Sequence, residues 1–162
     1  MAETLHVPES GSREEIYSAL LPQVEAVTGA TDDLIANMAN VAAILMQAFG
    51  FHWIGFYRTT GDKLILGPFQ GPLACVEIPF STGVCGQAAR TGETVIVADV
   101  DKFPGHIACS ALSKSEIVVP GVKNGKTLFV LDIDSDKADD FDATDKAWLE
   151  KIVGGLIAQS FP

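Results

Sequence analysis

Basic residues are scarce in this sequence. Lys and Arg number 11 among 162 residues, against 21 Asp and Glu, so the formal net charge is −10. Nucleic acids and anionic membrane surfaces are bound through an excess of Lys and Arg. The composition therefore argues against both as partners.

Long apolar runs are also lacking. The most apolar stretch, residues 41–57, is interrupted by Gln47, Gly50 and His52, whereas a membrane-spanning helix needs about 18 or more apolar residues in succession. The opening residues, MAETLHVPES, have neither the basic nor the apolar region of a secretory signal peptide. We therefore expect a soluble, cytoplasmic protein, and the length predicts one domain over residues 1–162.

Cysteine is sparse, and its spacing is unlike that of a metal site. Cys75, Cys85 and Cys109 are separated by 10 and 24 residues, which fits no zinc-ribbon or CxxC pattern. A zinc site that adds His106 lacks the paired-ligand spacing as well, so we expect no metal. Cys75 and Cys85 fit the ordinary fate of a reduced cysteine, a small buried apolar side chain. Cys109 fits it less well, because it lies in a Gly- and Pro-containing loop.

Capping patterns predict two helices at the start of the chain and one at its end. Ser12 and Glu15 form a capping box before a helix from about Arg13 to Thr28, in which Pro22 predicts a kink or a split. A second helix follows the acidic pair at residues 32–33 and ends at Gly50. Asp142 opens the last helix, and the small residues of 83–91 predict a short one packed on a sheet.

Short aromatic and β-branched runs predict strands from residue 51 onward. The predicted strands are residues 52–58, 63–69, 75–79, 94–99, 117–122 and 127–134. The first two and the last two are joined by hairpin turns, and residues 100–115 predict a long loop with at most one helical turn. We therefore predict an α+β fold, with a central antiparallel sheet of about six strands and the N- and C-terminal helices packed on one face.

Acidic residues occur where a buried strand would carry apolar ones. Glu116 follows Cys109 by seven residues, and Asp132 and Asp134 stand at alternate positions of the last strand, so their side chains point to the same side of the sheet. Buried acids are costly unless they are paired or bind something. A strand with one solvent-exposed face explains the same pattern, so both interpretations stay open.

Six segments together resemble the free methionine-(R)-sulfoxide reductases, enzymes built on a GAF domain. The resemblance runs in order from about Asp33 to Ile152, with residues 1–30 as an N-terminal helical extension, and it includes three cysteines at the family's spacing. The segments are Trp53-Ile54-Gly55-Phe56-Tyr57, Leu66-Gly67-Pro68-Phe69-Gln70-Gly71, Ile78-Pro79-Phe80 with Gly83-Val84-Cys85-Gly86, Phe103-Pro104-Gly105-His106-Ile107-Ala108-Cys109, Ser115-Glu116-Ile117-Val118-Val119-Pro120 and Val130-Leu131-Asp132-Ile133-Asp134-Ser135.

The resemblance implies a thiol-dependent reaction that needs no cofactor. Free L-methionine-(R)-sulfoxide is reduced to L-methionine, and Cys109 is the nucleophile that becomes a sulfenic acid. Cys75 occupies the position of the usual resolving cysteine, with Cys85 as the alternative. Thioredoxin then reduces the disulfide by exchange. A homodimer is implied as well.

The resemblance also implies how the substrate is held. A sulfoxide oxygen leaves poorly unless it is protonated, so an acid with a raised pKa is expected beside the nucleophile. The family's acids match Glu116 and Asp134, with Asp132 beside them. Trp53 and Tyr57 would box the S-methyl group, although core packing also explains them. The region 83–86 would bind the α-carboxylate through backbone N–H groups.

Two positions depart from the family's pattern. Phe129 stands where a small residue is common, and Gly121 stands where a bulkier apolar one is expected. Both flank one hairpin, so we expect them to compensate in volume and to bear on the shape of the pocket.

Two other functions compete with this one. A GAF-type module that senses a small ligand or redox state without turnover needs no set of three cysteines and acids. A thiol peroxidase also uses a low-pKa cysteine, but it leaves Asp132 and Asp134 unexplained, because carboxylates disfavour a thiolate.

Overall fold

A computed structural model describes residues 4–106 and 111–162 of the chain. Helices and strands follow one another in the predicted order, and one 3₁₀ turn, Val100–Lys102, lies in the predicted long loop. The helices are α1 (Arg13–Thr28), α2 (Leu34–Phe49), α3 (Gly83–Thr91) and α4 (Ala143–Ser160). The strands are β1 (Trp53–Thr60), β2 (Lys63–Gln70), β3 (Glu77–Pro79), β4 (Val95–Val97), β5 (Ser115–Lys123) and β6 (Lys126–Ser135).

The helix ends follow their capping residues. Ser12 and Glu15 form the predicted capping box of α1, the Asp33 side chain accepts from the backbone N–H of Ala36 at the start of α2, and Gly50 ends α2 with a φ of 63°. The split expected in α1 is wrong, because the helix continues through Pro22. Buried side chains on both sides of this proline hold the helix against the core; they are Tyr17, Leu20 and Val24.

The six strands form one antiparallel sheet with the order β3-β2-β1-β6-β5-β4. Hairpins give the neighbours β1–β2 and β5–β6, as predicted. The pairing of β1 with β6 is not local in sequence, and it places Trp53 opposite Asp134 and Gly55 opposite Asp132. The prediction of an α+β fold with about six antiparallel strands is confirmed.

Two predicted strands are shorter than expected. The strand predicted at 75–79 begins at Glu77, so Cys75 lies on the connection before it. The β2–β3 pairing does not extend to Cys75, because the next β2 residue whose backbone N–H position points toward β3 is Pro68. Proline has no N–H to donate. The strand predicted at 94–99 pairs only over Val95–Val97.

The sheet has a core on each face. The N- and C-terminal helices lie on one face, as predicted: α2 and α4 pack on the strands, around apolar residues such as Phe56, Leu131 and Ile133, and α1 packs on α2 and α4. The short helix α3 covers the other face, where Trp53, Tyr57 and Val130 lie. Among the described residues, no helix is both long and apolar enough to cross a membrane.

Gly121 and Phe129 compensate in volume, as expected. They are cross-strand partners, and a Cβ on Gly121 would lie 2.6 Å from the Phe129 ring. Phe129 belongs to the core under α1, α2 and α4. The expectation that the pair shapes the pocket is therefore wrong, because the cavity described next is on the opposite face.

Candidate active site

A cavity lies between α3 and the sheet, and it reaches the surface beside the exposed side chain of Leu73. Its lining combines aromatic, apolar and titratable side chains. The lining residues are Trp53, Tyr57, Leu73, Ala74, Ile78, Gly83, Val84, Cys85, His106, Ser113, Glu116, Asp132 and Asp134. A concave site with a few convergent polar groups is the usual form of a small-molecule site.

One wall of the cavity comes from alternate residues of β1. Trp53 and Tyr57 are both buried, and their rings stack with centroids 5.9 Å apart. Gly55 between them is required, because a Cβ there would lie 2.3 Å from the Trp53 ring. The Trp53 Nε1–H donates to the Pro72 carbonyl and the Tyr57 hydroxyl donates to the Cys75 carbonyl, each at 3.1 Å. The aromatic pair thus also holds the segment that carries Cys75.

The floor of the cavity carries three carboxyl groups. Glu116 on β5 is the cross-strand partner of Asp134 on β6, and Asp132 lies two residues earlier on the same face of β6. Glu116 and Asp132 are buried, and Asp134 is half-buried. Of the two interpretations left open by the sequence, the solvent-exposed face is therefore wrong.

Burial raises the pKa of all three carboxyl groups. The pKa values of Glu116 and Asp132 lie well above their usual range, first because of burial and then because neighbouring carboxylates repel a further negative charge. Burial raises the pKa of Asp134 to about 6, against a stabilising hydrogen bond from Ser113. Burial and mutual repulsion thus favour the protonated forms of Glu116 and Asp132, whose side chains are hydrogen-bonded to each other. Asp134, with a pKa of about 6, is mostly ionised at pH 7.

One oxygen of this cluster lacks a hydrogen-bond partner within residues 4–106 and 111–162. Asp132 Oδ1 is buried and accepts no hydrogen bond from the described residues, although the Cys85 and Glu116 side chains hydrogen-bond to Asp132. A buried acceptor without a donor is costly. This oxygen therefore points to a ligand that brings a donor into the cavity.

The structure separates the cysteines into different environments. Cys85 on α3 is a free, buried thiol, and its Sγ lies 4.0 Å from Glu116 Oε1. Burial and then the carboxylate of Asp132 raise its pKa. Cys75 is half-buried and disulfide-bonded, so the interpretation of this residue as a reduced, buried thiol is wrong. Cys109 lies outside the described residues.

The cavity contains one group of side chains that can bind a metal ion. Among the described residues, Cys85, Glu116 and Asp132 each offer a ligand atom within 4.8 Å of the others. This is a different set from the cysteine and histidine group considered from the sequence, since Cys75 does not belong to it. The raised pKa values of these groups disfavour the deprotonated forms that a cation needs.

Sequence reasoning did not assign two polar residues to the site: His106 was considered only as a zinc ligand, and Ser113 was not considered. His106 Nε2 lies 3.7 Å from Glu116 Oε2, and burial lowers the pKa of His106, so the ring is neutral near pH 7. Ser113 hydrogen-bonds to Asp134. Both lie in the aperiodic stretch before β5, and the only signal was their nearness in sequence to Cys109 and Glu116.

The start of α3 faces the same cavity. Gly83 lines it, and within the described residues the N-cap Thr82 makes no side-chain cap hydrogen bond. Backbone N–H groups at a helix N-terminus attract an anion. The structure thus brings together Trp53, Tyr57, Cys85, Glu116, Asp132 and Asp134 of the sequence-predicted site, with Cys75 on the segment beside it.

Comparisons with known proteins identify the family. A protein-family model described as a GAF domain matches residues 31–158. The "GAF domain-containing protein A" of Dictyostelium discoideum is 52% identical over 94% of this chain and 97% of that protein. The "Free methionine-R-sulfoxide reductase" of Saccharomyces cerevisiae is 44% identical over 93% of this chain and 89% of that protein.

A solved structure gives the same result at the level of the fold. The free methionine-R-sulfoxide reductase of Neisseria meningitidis, in complex with its substrate, superimposes with a TM-score of 0.94 at 48% identity, and the match covers 97% of this chain and 95% of that one. The resemblance identified from the sequence is confirmed. The chain belongs to the GAF-domain family and, within it, to the free methionine-(R)-sulfoxide reductases.

Proposed function

We propose that this protein reduces free L-methionine-(R)-sulfoxide to L-methionine, with Cys109 as nucleophile, Cys75 as resolving cysteine and thioredoxin as reductant. The observation that carries the proposal is the cluster of buried carboxyl groups in the cavity of Trp53 and Tyr57, in which burial raises the pKa of Glu116. A sulfoxide oxygen must be protonated as its bond to sulfur breaks, and a carboxyl group kept protonated at neutral pH supplies that proton.

The substrate binds through both of its ends. Asp132 Oδ1, which lacks a partner among the described residues, accepts a hydrogen bond from the α-ammonium group. The Gly83 N–H donates to the Gly105 carbonyl at 3.1 Å, so the backbone N–H groups of Val84 and Cys85, next along the first turn of α3, bind the α-carboxylate. Trp53 and Tyr57 enclose the apolar side chain and its S-methyl group. A residue inside a peptide has neither free terminus, so this mode of binding selects the free amino acid.

In the first step, oxygen passes from the substrate to the enzyme. The Cys109 thiolate attacks the sulfoxide sulfur, Glu116 donates its proton to the oxygen, and Asp134 polarises the same oxygen. The protonated oxygen then moves as a hydroxyl group from the substrate sulfur to the Cys109 sulfur, and the bond between the two sulfurs breaks with its electron pair passing to the methionine sulfur. Methionine leaves, and Cys109 is left as a sulfenic acid. The substrate sulfur is reduced by two electrons, and the Cys109 sulfur is oxidised by two.

In the second step, Cys75 resolves the sulfenic acid. Its thiolate attacks the Cys109 sulfur, a disulfide forms, and the hydroxyl leaves as water after taking up a proton. The disulfide-bonded state of Cys75 supports this residue as the resolving cysteine. The raised pKa of the buried Cys85 thiol argues against the alternative, because a protonated thiol is a poor nucleophile. Cys85 then serves as a neutral part of the cavity wall.

The test is a coupled assay of NADPH consumption with thioredoxin and thioredoxin reductase. Free L-methionine-(R)-sulfoxide, its S-epimer and a peptide-bound sulfoxide are compared, and we expect turnover with the free R-epimer alone. Absence of turnover with all three, with every thiol reduced at the start, would contradict the proposal and favour a GAF-type binding module.

Cysteine variants separate the two steps. Cys109→Ser is expected to abolish methionine formation. Cys75→Ser is expected to form one equivalent of methionine per enzyme and then stop with thioredoxin as reductant, because no disulfide forms for it to reduce. Cys85→Ser is the matched control and is expected to recycle. Recycling that survives Cys75→Ser and fails in Cys85→Ser would assign resolution to Cys85.

Two further features belong to the proposal. The family resemblance implies a homodimer, and the sequence predicts a location in the cytoplasm, where thioredoxin keeps thiols reduced. Light scattering of the purified protein tests the first, and fractionation of the source cells tests the second.

A further inference from the structure

The most exposed large apolar side chains of the described residues accompany the cysteines. Leu73 is 90% exposed, Val76 66% and Leu112 63%, whereas the other exposed side chains of this kind reach 44% or less. Leu73 and Val76 stand on either side of Cys75 in the sequence, and Leu112 follows Cys109 by three residues. Solvent-exposed apolar residues that cluster in one place mark a surface for a partner.

The segments that carry these side chains meet at the cavity. Leu73 and Ser113 line it, Leu112 directly precedes Ser113, and Val76 follows Leu73 by three residues. The segment that carries Leu73 and Cys75 is held in place, because Trp53 and Tyr57 donate hydrogen bonds to its carbonyl groups. The backbone of Val76 is held as well, because its carbonyl accepts a hydrogen bond from the Leu66 N–H. Val76 is therefore exposed on a segment whose backbone is fixed.

The disulfide-bonded state of Cys75 limits the kind of partner that this surface fits. A disulfide is recycled only by a second pair of thiols, and a protein dithiol must press its own surface against the bond that it attacks. An apolar surface around a half-buried sulfur provides such contact. The cavity itself takes the substrate, so the partner binds at its rim.

We propose that Leu73, Val76 and Leu112 form the docking surface for the protein dithiol that reduces the enzyme, and that its thiolate attacks Cys75. The inference rests on the proposed function, since it needs the disulfide to be part of the cycle. Val76 is the residue that tests it best, because it adjoins Cys75 and does not line the cavity.

The exchange is balanced by the two thiols of the partner. A partner thiolate attacks Cys75 Sγ, the existing disulfide breaks, and the cysteine bonded to Cys75 leaves as a thiolate that takes up a proton. The second partner thiol then attacks the mixed disulfide and releases Cys75. The enzyme gains two electrons, and the partner becomes a disulfide.

The first experiment compares two reductants at saturating sulfoxide. Val76→Asp is expected to raise the KM for thioredoxin about tenfold, which corresponds to about 1.4 kcal/mol, and to leave turnover with dithiothreitol unchanged. Val76→Ile should keep the wild-type KM. The matched control is Ile96→Asp on β4, an exposed apolar residue at the opposite edge of the sheet. Its KM for thioredoxin should also equal the wild-type value.

The second experiment identifies the attacked sulfur. A thioredoxin whose resolving cysteine is replaced by Ser is mixed with the oxidised enzyme, and the mixed disulfide is mapped by mass spectrometry. We expect it at Cys75. A mixed disulfide at Cys109, or an equal KM for wild type and Val76→Asp, would overturn the docking proposal. Absence of turnover with dithiothreitol in the wild type would instead overturn the proposed function.

Discussion

The two faces of the sheet both bury carboxyl groups, and they treat them differently. Under α1 and α4, Asp145 is fully buried and each of its oxygens is bound. Arg13 approaches Asp145 Oδ2 at 2.8 Å, the Tyr17 hydroxyl donates to Oδ1 at 3.0 Å, and the backbone N–H of Asp142 donates to Oδ2 at 3.0 Å. On the α3 face, Asp132 is almost as buried and leaves Oδ1 without a partner among the described residues.

This contrast separates a structural acid from one reserved for a ligand. Asp145 completes a network that joins α1 to α4, so its charge is compensated within the fold. Glu116, Asp132 and Asp134 face one another, and in the described part of the chain their cluster contains no Lys or Arg. Burying these carboxyl groups without a cation lowers the free energy of unfolding of the free enzyme. Contacts with the substrate offset this cost when it binds. The following substitutions test this difference.

Glu116→Gln is expected to have the largest effect on activity. It keeps the size of the side chain and removes the acidic proton, so kcat should fall about 10²–10⁴-fold, while the thiol count and thermal stability should not fall. Measurement of single-turnover methionine release isolates the chemical step. Glu93→Gln, at an exposed position, is the control and should behave as wild type; a full rate for Glu116→Gln would remove its role as the acid.

Asp145→Asn should show the reverse pattern. Arg13 then faces a neutral amide, but it is 30% exposed and keeps Asp140 at 2.6 Å, so losing the charged partner costs about 1–3 kcal/mol. The free energy of unfolding, measured in urea, should fall by about that amount, with kcat unchanged at temperatures where the variant is folded. A lower kcat at unchanged stability would show that the two faces are not independent.

Asp134→Asn should change how stability depends on pH. The pKa of Asp134 is raised from 3.8 to about 6 by burial, so the native state binds a proton that the unfolded chain has lost. Ionised Asp134 therefore lowers the free energy of unfolding as pH rises from about 4 to above 6, by at most about 3 kcal/mol. Asn cannot ionise, so the Asp134→Asn variant does not lose this stability as the pH rises.

Urea titrations at several pH values measure the effect. The stability of Asp134→Asn relative to wild type should increase between pH 4 and pH 7. A difference that stays constant across that window would contradict the raised pKa. Asp136→Asn, at an exposed position two residues later, should give no trend.

Local physics explains why much of the fold was predictable. The capping boxes at Ser12 and Asp142 and the Asn124-Gly125 turn act within a few residues, so helix starts and hairpins follow from short segments. The side shared by Asp132 and Asp134 follows from strand alternation. Their burial does not, because it depends on α3 covering that face.

The rest of the site depends on contacts between distant segments. Trp53 meets Asp134 only because β1 pairs with β6, and no sequence pattern in either strand specifies that register. His106 and Ser113 lie in a stretch without periodicity, so their position at the cavity was not predictable. The late start of β3 followed from Pro68 in the neighbouring strand, which became relevant only when the strand order was known.

Gly121→Ala tests the helix-covered face at its tightest contact and should have the smallest effect. The added Cβ would lie 2.6 Å from the Phe129 ring, so the ring must move, and overpacking of this kind costs about 1–2 kcal/mol. Phe129→Leu creates space at the same place, so the double variant should be more stable than the sum of the single changes predicts. Because the pair lies away from the cavity, the KM for methionine sulfoxide should stay constant in all three variants. A changed KM would mean that packing under α1, α2 and α4 is transmitted through the sheet to Asp132 and Asp134.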